Sequence, residues 1–121
     1  MKNKKIYFAF FFILFFCLSL YMLSNFNLKT ACRKEKSALQ VEMNQWVLVR
    51  VYRDSENHNN ETIEYLFNDK VRKSLIFNGE INLIFDQLKE GDILNKEKNN
   101  LEVVVNKDSE NKVFFLNYGC K

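Results

Sequence analysis

The sequence predicts an α+β protein, mostly β: one N-terminal transmembrane helix, then a small bent sheet or barrel, OB- or SH3-like, of five or six strands with one short helix. Three observations carry this. Ile6 to Leu23 are 18 consecutive uncharged residues, mostly Phe, Leu and Ile. From Trp46 onward, short β-branched and aromatic runs alternate with polar turns rich in Asn and Asp. Outside the apolar segment, helical period appears most clearly at Ile81, Ile84, Phe85 and Leu88.

The apolar segment comes first. As a helix, 18 residues rise ~27 Å, close to the hydrocarbon thickness of a bilayer. Counted to Leu28, the uncharged stretch reaches 23 residues before Lys29 ends it. Lys2, Lys4 and Lys5 precede it, and lysines resist translocation, so the N-terminus is expected in the cytoplasm and the remainder outside. Lys29, Arg33, Lys34 and Lys36, against Glu35 alone, flank the other end and make the charge bias nearly symmetrical. The chain then divides into a basic tail (1–5), a signal-anchor (6–28), a juxtamembrane stalk (29–44) and an extracytoplasmic β-rich domain (45–121).

Three fates of the segment are distinguishable. An uncleaved anchor fits a run longer and bulkier than the ~7–15 apolar residues of a signal peptide. A cleaved signal needs a small-x-small site, and Met22-Leu23-Ser24 offers a poor first position. Lipidation would use Cys32 after Thr30-Ala31, but Lys29 stands where an apolar residue belongs.

Charge separates the two parts. Residues 1–36 hold seven of the 18 basic and one of the 15 acidic residues, which leaves 11 against 14, a net −3, beyond them. A mildly acidic domain lacks the concentrated positive face that nucleic acid requires. The basic flanks instead suit anionic lipid headgroups, making the bilayer the expected partner. Proline is absent and asparagine abundant, as in the residue usage of an AT-rich bacterial genome.

The cysteines sort by position. Cys17 lies within the apolar run as a small hydrophobe. Cys32 and Cys120 fall in the outer region, where a disulfide persists if the compartment is oxidising. A bridge would close 88 residues, for which the chain-entropy model gives ~4–5 kcal/mol. Two unrelated thiols remain the alternative, because sequence alone does not bring the two ends together.

The outer elements follow in order. Residues 31–44 are good helix formers and extend the membrane helix as a stalk. Trp46 to Tyr52 is a strand with Val47, Val49 and Val51 on one face, and Asp54 to Glu61 is a loop. Ile63, Tyr65 and Phe67 alternate along a second strand. Asn68-Asp69-Lys70 turns, and Val71 to Phe77 forms a third, with Val71, Leu75 and Phe77 on one side. The short helix then spans Ile81 to Leu88, with Gly91 as its left-handed cap. Ile93-Leu94, Leu101–Val105 and Val113–Tyr118, separated by polar turns, complete a meander.

Chemistry is sparsely represented. His58, the single histidine, sits in Asn57-His58-Asn59-Asn60 near Asp54, Glu56 and Glu61. It is the one candidate for a general base or metal ligand. One imidazole without a partner at ligand spacing points instead to a solvated loop residue. There is no G-x-S-x-G elbow and no glycine-rich loop, with Gly79, Gly91 and Gly119 the only glycines. No cofactor is implied.

Three stretches carry a resemblance: Asp54-Ser55-Glu56-Asn57-His58-Asn59 with Thr62-Ile63, then Phe85 to Lys96, then Leu116-Asn117-Tyr118-Gly119-Cys120. Through these the last ~75 residues resemble short uncharacterised exported or membrane-anchored bacterial proteins with a β-rich domain and a Tyr-Gly-Cys-like ending. The likeness implies an exported domain and no known activity. Its departure is at the N-terminus, where a good lipidation or cleavage site is missing.

Two function classes follow. One is a single-pass protein displaying a small binding or assembly module for an unknown protein partner, through strand edges and the aromatic faces of Tyr52, Tyr65 and Tyr118. The other is a hydrolytic or metal-dependent enzyme using His58. A third possibility, an accessory subunit packing Ile6–Leu23 on a larger complex, lacks the small-xxx-small spacing of close helix packing.

Overall fold

The computed structural model describes residues 2–121. Helix α1 spans Lys2–Gln40 without a break, 39 residues and ~58 Å long. It is long and apolar enough to cross a membrane, by length and composition alone, and no part of its apolar window is buried by the rest of the chain. Phe, Leu and Ile side chains from Ile6 to Leu28 are exposed all round it. Ser19 and Thr30 on it donate back to the Phe15 and Phe26 carbonyls at 2.9 and 3.0 Å, which satisfies their hydroxyls without water.

Six antiparallel strands follow: β1 (Met43–Asp54), β2 (Asn60–Phe67), β3 (Lys70–Ser74), β4 (Ile93–Lys96), β5 (Glu102–Lys107) and β6 (Glu110–Phe115). They form one open sheet in the order β3-β2-β1-β4-β5-β6, so two meanders meet where β1 pairs with β4. The ladder does not close, and β3 and β6 are its edges. Two of its hairpins have two-residue loops, Asn68-Asp69 and Asp108-Ser109, and all four residues have positive φ. Two consecutive left-handed residues match the right-handed twist of the flanking strands, and Asn, Asp and Ser supply that conformation at low steric cost.

Several local expectations are corrected. The core face of β1 is carried by Met43, Trp46 and Leu48, not by Val47 and Val49, because the register shifts between Leu48 and Arg50. That bulge inserts one residue and returns only Val51 to the core side. β3 stops at Ser74, so Leu75 to Asn78 is turn rather than strand; Phe77 is buried from there while Val71 stays exposed.

The helix expected over Ile81–Leu88 is a single 3-10 turn, Phe85–Gln87. There the Glu80 carboxylate accepts the Asn82 N–H at 2.6 Å and the Ile84 N–H at 3.1 Å, first-turn donors that have no partner inside a helix. Leu83 then adopts φ +57, which ends right-handed propagation. Ile84, Phe85 and Leu88 still reach the core, whereas Ile81 does not. Gly91 has φ +91 as expected of a left-handed position, but it turns the chain into β4 and donates to the Leu48 carbonyl at 2.7 Å.

The core lies on one face of the sheet, under the 75–92 connection and the end of α1. Ile63, Ile84, Leu94, Val103 and Val105 are fully buried there, and Trp46 stacks on Tyr65 with ring centroids 3.7 Å apart and planes 9° from parallel. Ala38 of α1 is buried in the same cluster, with Ala31 against its margin. Asp92 and Lys107, both nearly buried, pair at 2.5 Å, and Asp92 also accepts the Lys89 N–H at 2.8 Å. No buried side-chain polar atom among the described residues lacks a partner.

Candidate functional site

The last turns of α1 are built into the domain. Four terminal carbonyls of any α-helix lack intrahelical donors. Here the domain supplies one, the Asn99 N–H to the Leu39 carbonyl at 2.7 Å, and Lys96 Nζ reaches the carbonyl of Val41, just past the helix, at 2.6 Å. Lys96 is buried, which pushes its pKa down, yet it also donates to the Glu97 carbonyl at 3.0 Å. The negative end of the helix dipole beside this cation offsets part of what burial costs.

Below that cap, Cys32 and Cys120 form a disulfide with Cα atoms 4.7 Å apart. The residues before Cys120 therefore run along the stalk. Tyr118 is buried, and its hydroxyl donates to the Ile76 carbonyl, which ties the C-terminal segment to the connection after β3. Burial raises the phenol's pKa well above its ordinary value. Gly79 has φ +78, so this position takes glycine for its conformation, and the Lys34 ammonium lies over it.

Between stalk and domain lies a cleft of about 390 Å³. One wall is the helical stripe Arg33 and Ser37, with Lys34 and Ala38 beside it and Val41 just past the helix. The other is Ser74, Leu75, Ile76 and Asn78, with Tyr118 between the two. Its surface is largely apolar, its only charged residues are Arg33 and Lys34, and it contains no carboxylate. Such a site accepts an apolar group and favours a negative one at its cationic end.

The other sequence candidates fall elsewhere. Lys4 and Lys5 are exposed on the first turns of α1, and the Lys2 side chain lies outside the described residues. His58 is exposed at the tip between β1 and β2, with φ +54, followed by Asn59 at +55. This places it in the turn geometry that Asn59 N–H and Asn57 N–H enforce by donating to the Asp54 carbonyl at 2.8 and 3.1 Å. The Asp54 carboxylate is itself used in that turn, accepting the Glu56 N–H at 3.2 Å. No cluster of three His, Cys, Asp or Glu able to hold a metal occurs among the described residues.

Tyr65 and Tyr118, expected as exposed contact aromatics, are buried, since the stack on Trp46 and the Ile76 hydrogen bond consume them. Tyr52 is half-buried, donating to Glu64 at 3.1 Å with Arg50 3.9 Å over its ring. A polar depression beside it mixes Arg50, Arg53 and Lys73 with Asp54, Glu56 and Glu64, charges that cancel. Cys17 is exposed on α1.

The cleft was not foreseeable from spacing. Its walls are more than thirty residues apart in sequence, and its one sequence signal is the basic pair Arg33-Lys34 just beyond the apolar run. Compared with known proteins, the chain matches no family model, no curated protein and no solved structure.

Proposed function

We propose that this chain is a single-pass membrane protein, cytoplasmic at its N-terminus, that displays its sheet domain outside the membrane as a small binding or assembly module. The observation that carries this is the Cys32–Cys120 disulfide placed four residues past the end of the uncharged stretch at Leu28. Disulfides persist in oxidising compartments, so a bridge at that position favours an outer location for everything that follows α1. A bonded Cys32 has no free thiol to carry a lipid, which favours the uncleaved anchor over the lipoprotein alternative.

Support for a binding module comes from the sheet face opposite the core. Val71, Leu66, Val47 and Ile93 stand in register across β3, β2, β1 and β4, an apolar row on a face without covering elements, with Val71 59% and Leu66 37% exposed. Surface rows of this kind mark contact sites more often than isolated apolar residues do.

Topology is tested by protease treatment of right-side-out and inverted membrane vesicles carrying the full chain. The domain is expected to be cut only in right-side-out vesicles and to release a fragment held by the disulfide until reduction. Cutting from the cytoplasmic face would reject the orientation. Photo-crosslinkers at Leu66 and Val71 then test the module, with His58 as the comparison position: adducts confined to the sheet face support it.

A further inference from the structure

We propose that the cleft between the stalk and the domain holds one acyl chain of an anionic phospholipid, with its phosphate on Arg33 and Lys34. The inference rests on the membrane reading above and adds a ligand site to it. Height along α1 is the first reason. Arg33 and Lys34 stand five and six residues past Leu28, the last residue of the uncharged stretch. At 1.5 Å per residue that is ~7–9 Å, the depth of the headgroup layer just outside the hydrocarbon.

The cleft's own chemistry is the second reason. Its helix side runs from Arg33 and Lys34 through Ser37 and Ala38 to Val41 just past the helix, so the charges lie at its membrane-side end, and Leu75 and Ile76 line the facing wall. An amphiphile entering tail-first from the membrane side leaves its negative group at the only charged residues of the wall. No carboxylate opposes it there. A volume of about 390 Å³ lies within the range of small-ligand sites and below that of a complete two-chain lipid, hence one chain drawn in and one left in the leaflet. Lys34 is positioned by packing over Gly79 rather than free in solvent, so part of its ordering cost is met before a ligand arrives.

Native mass spectrometry of the full chain, released from nanodiscs of phosphatidylcholine with a minority of phosphatidylglycerol, tests this. One phosphatidylglycerol retained per chain, enriched at least tenfold over its share of the bilayer, is the expected result. Arg33→Gln with Lys34→Gln should abolish the enrichment, and Ser37→Trp, which fills the cleft from the helix side, should abolish retention with the charges intact. Folding of each variant is checked by an intact Cys32–Cys120 bridge. Equal retention of both lipids, or enrichment that survives the double and the filling substitutions, overturns the site. A chain that inserts into nanodiscs but retains no lipid also overturns it and leaves the membrane reading standing. A chain that fails to insert overturns both.

Discussion

Cys120 is covalently joined to Cys32 across 88 residues of sequence, so the C-terminal segment is pinned to the helix from which the domain begins. Between these cysteines lie all six strands. The bridge closes the domain into a ring whose unfolded form has far fewer conformations than the open chain.

Cys120→Ser should therefore lower the unfolding free energy by ~4 kcal/mol, the scale of an 88-residue loop in the chain-entropy model. Denaturant unfolding in mild detergent, oxidised against reduced, measures it. A midpoint unchanged by reduction would mean that the non-covalent contacts of the stalk already hold the two ends together.

Trp46 and Tyr65, diagonal neighbours across β1 and β2, stack ring on ring in the core. Trp46→Ala should cost ~3–5 kcal/mol, as large-to-small core changes do. A double-mutant cycle with Tyr65→Leu should return a coupling of ~0.5–1.5 kcal/mol for the stack beyond lost area. A coupling near zero would show that the rings contribute as bulk alone.

The Asp92–Lys107 pair should respond asymmetrically. Asp92→Ala leaves a nearly buried ammonium without its partner and should cost ~3–5 kcal/mol, while Asp92→Leu with Lys107→Met should restore much of the loss. Thermal unfolding of the single and double variants separates the two. If the double variant is as unstable as the single, Asp92 matters through the Lys89 N–H it accepts.

Alkaline pH should weaken the junction through Tyr118. Its folded pKa is raised by burial above the ordinary value of 10.0. The stabilisation belongs to the neutral phenol: fully present below pH 10, it declines as pH rises from there toward the folded pKa. Tyr118→Phe lacks both the titration and the Ile76 hydrogen bond, so it should be less stable than the native chain at pH 8 and show a shallower loss above pH 10. Unfolding midpoints for both proteins between pH 8 and 11 give the comparison. Parallel curves would locate the alkaline sensitivity elsewhere, Tyr65 being the other phenol whose pKa burial raises.

Much of this architecture is legible in residue order. The uncharged stretch ending at Leu28 specifies the exposed part of α1, and Asn68-Asp69 specifies the tight turn from β2 to β3, since each depends on neighbours in sequence. What escapes is set from far away. The expected helix breaks at Leu83, with positive φ, and Glu80 beside it accepts the Asn117 N–H at 3.3 Å, 37 residues on, which no local pattern encodes. The bulge between Leu48 and Arg50 inverts the alternation of a strand whose valines look equivalent on either face. Tyr65 and Tyr118 are indistinguishable from surface tyrosines until their partners, Trp46 and the Ile76 carbonyl, are in place.

The capped end of α1 and the disulfide below it also decide what kind of attachment this is. On the proposed membrane reading, a flexible tether would let the domain sample all headings above the bilayer. Here the helix runs into the fold, with the Leu39 carbonyl held by Asn99 and the Val41 carbonyl just past its end held by Lys96, so the sheet turns only when α1 turns. Helical phase then becomes azimuth. One residue inserted between Leu28 and Cys32 would swing the Val71–Leu66–Val47–Ile93 row by ~100° and lift it by ~1.5 Å, aiming the same surface at a different neighbour.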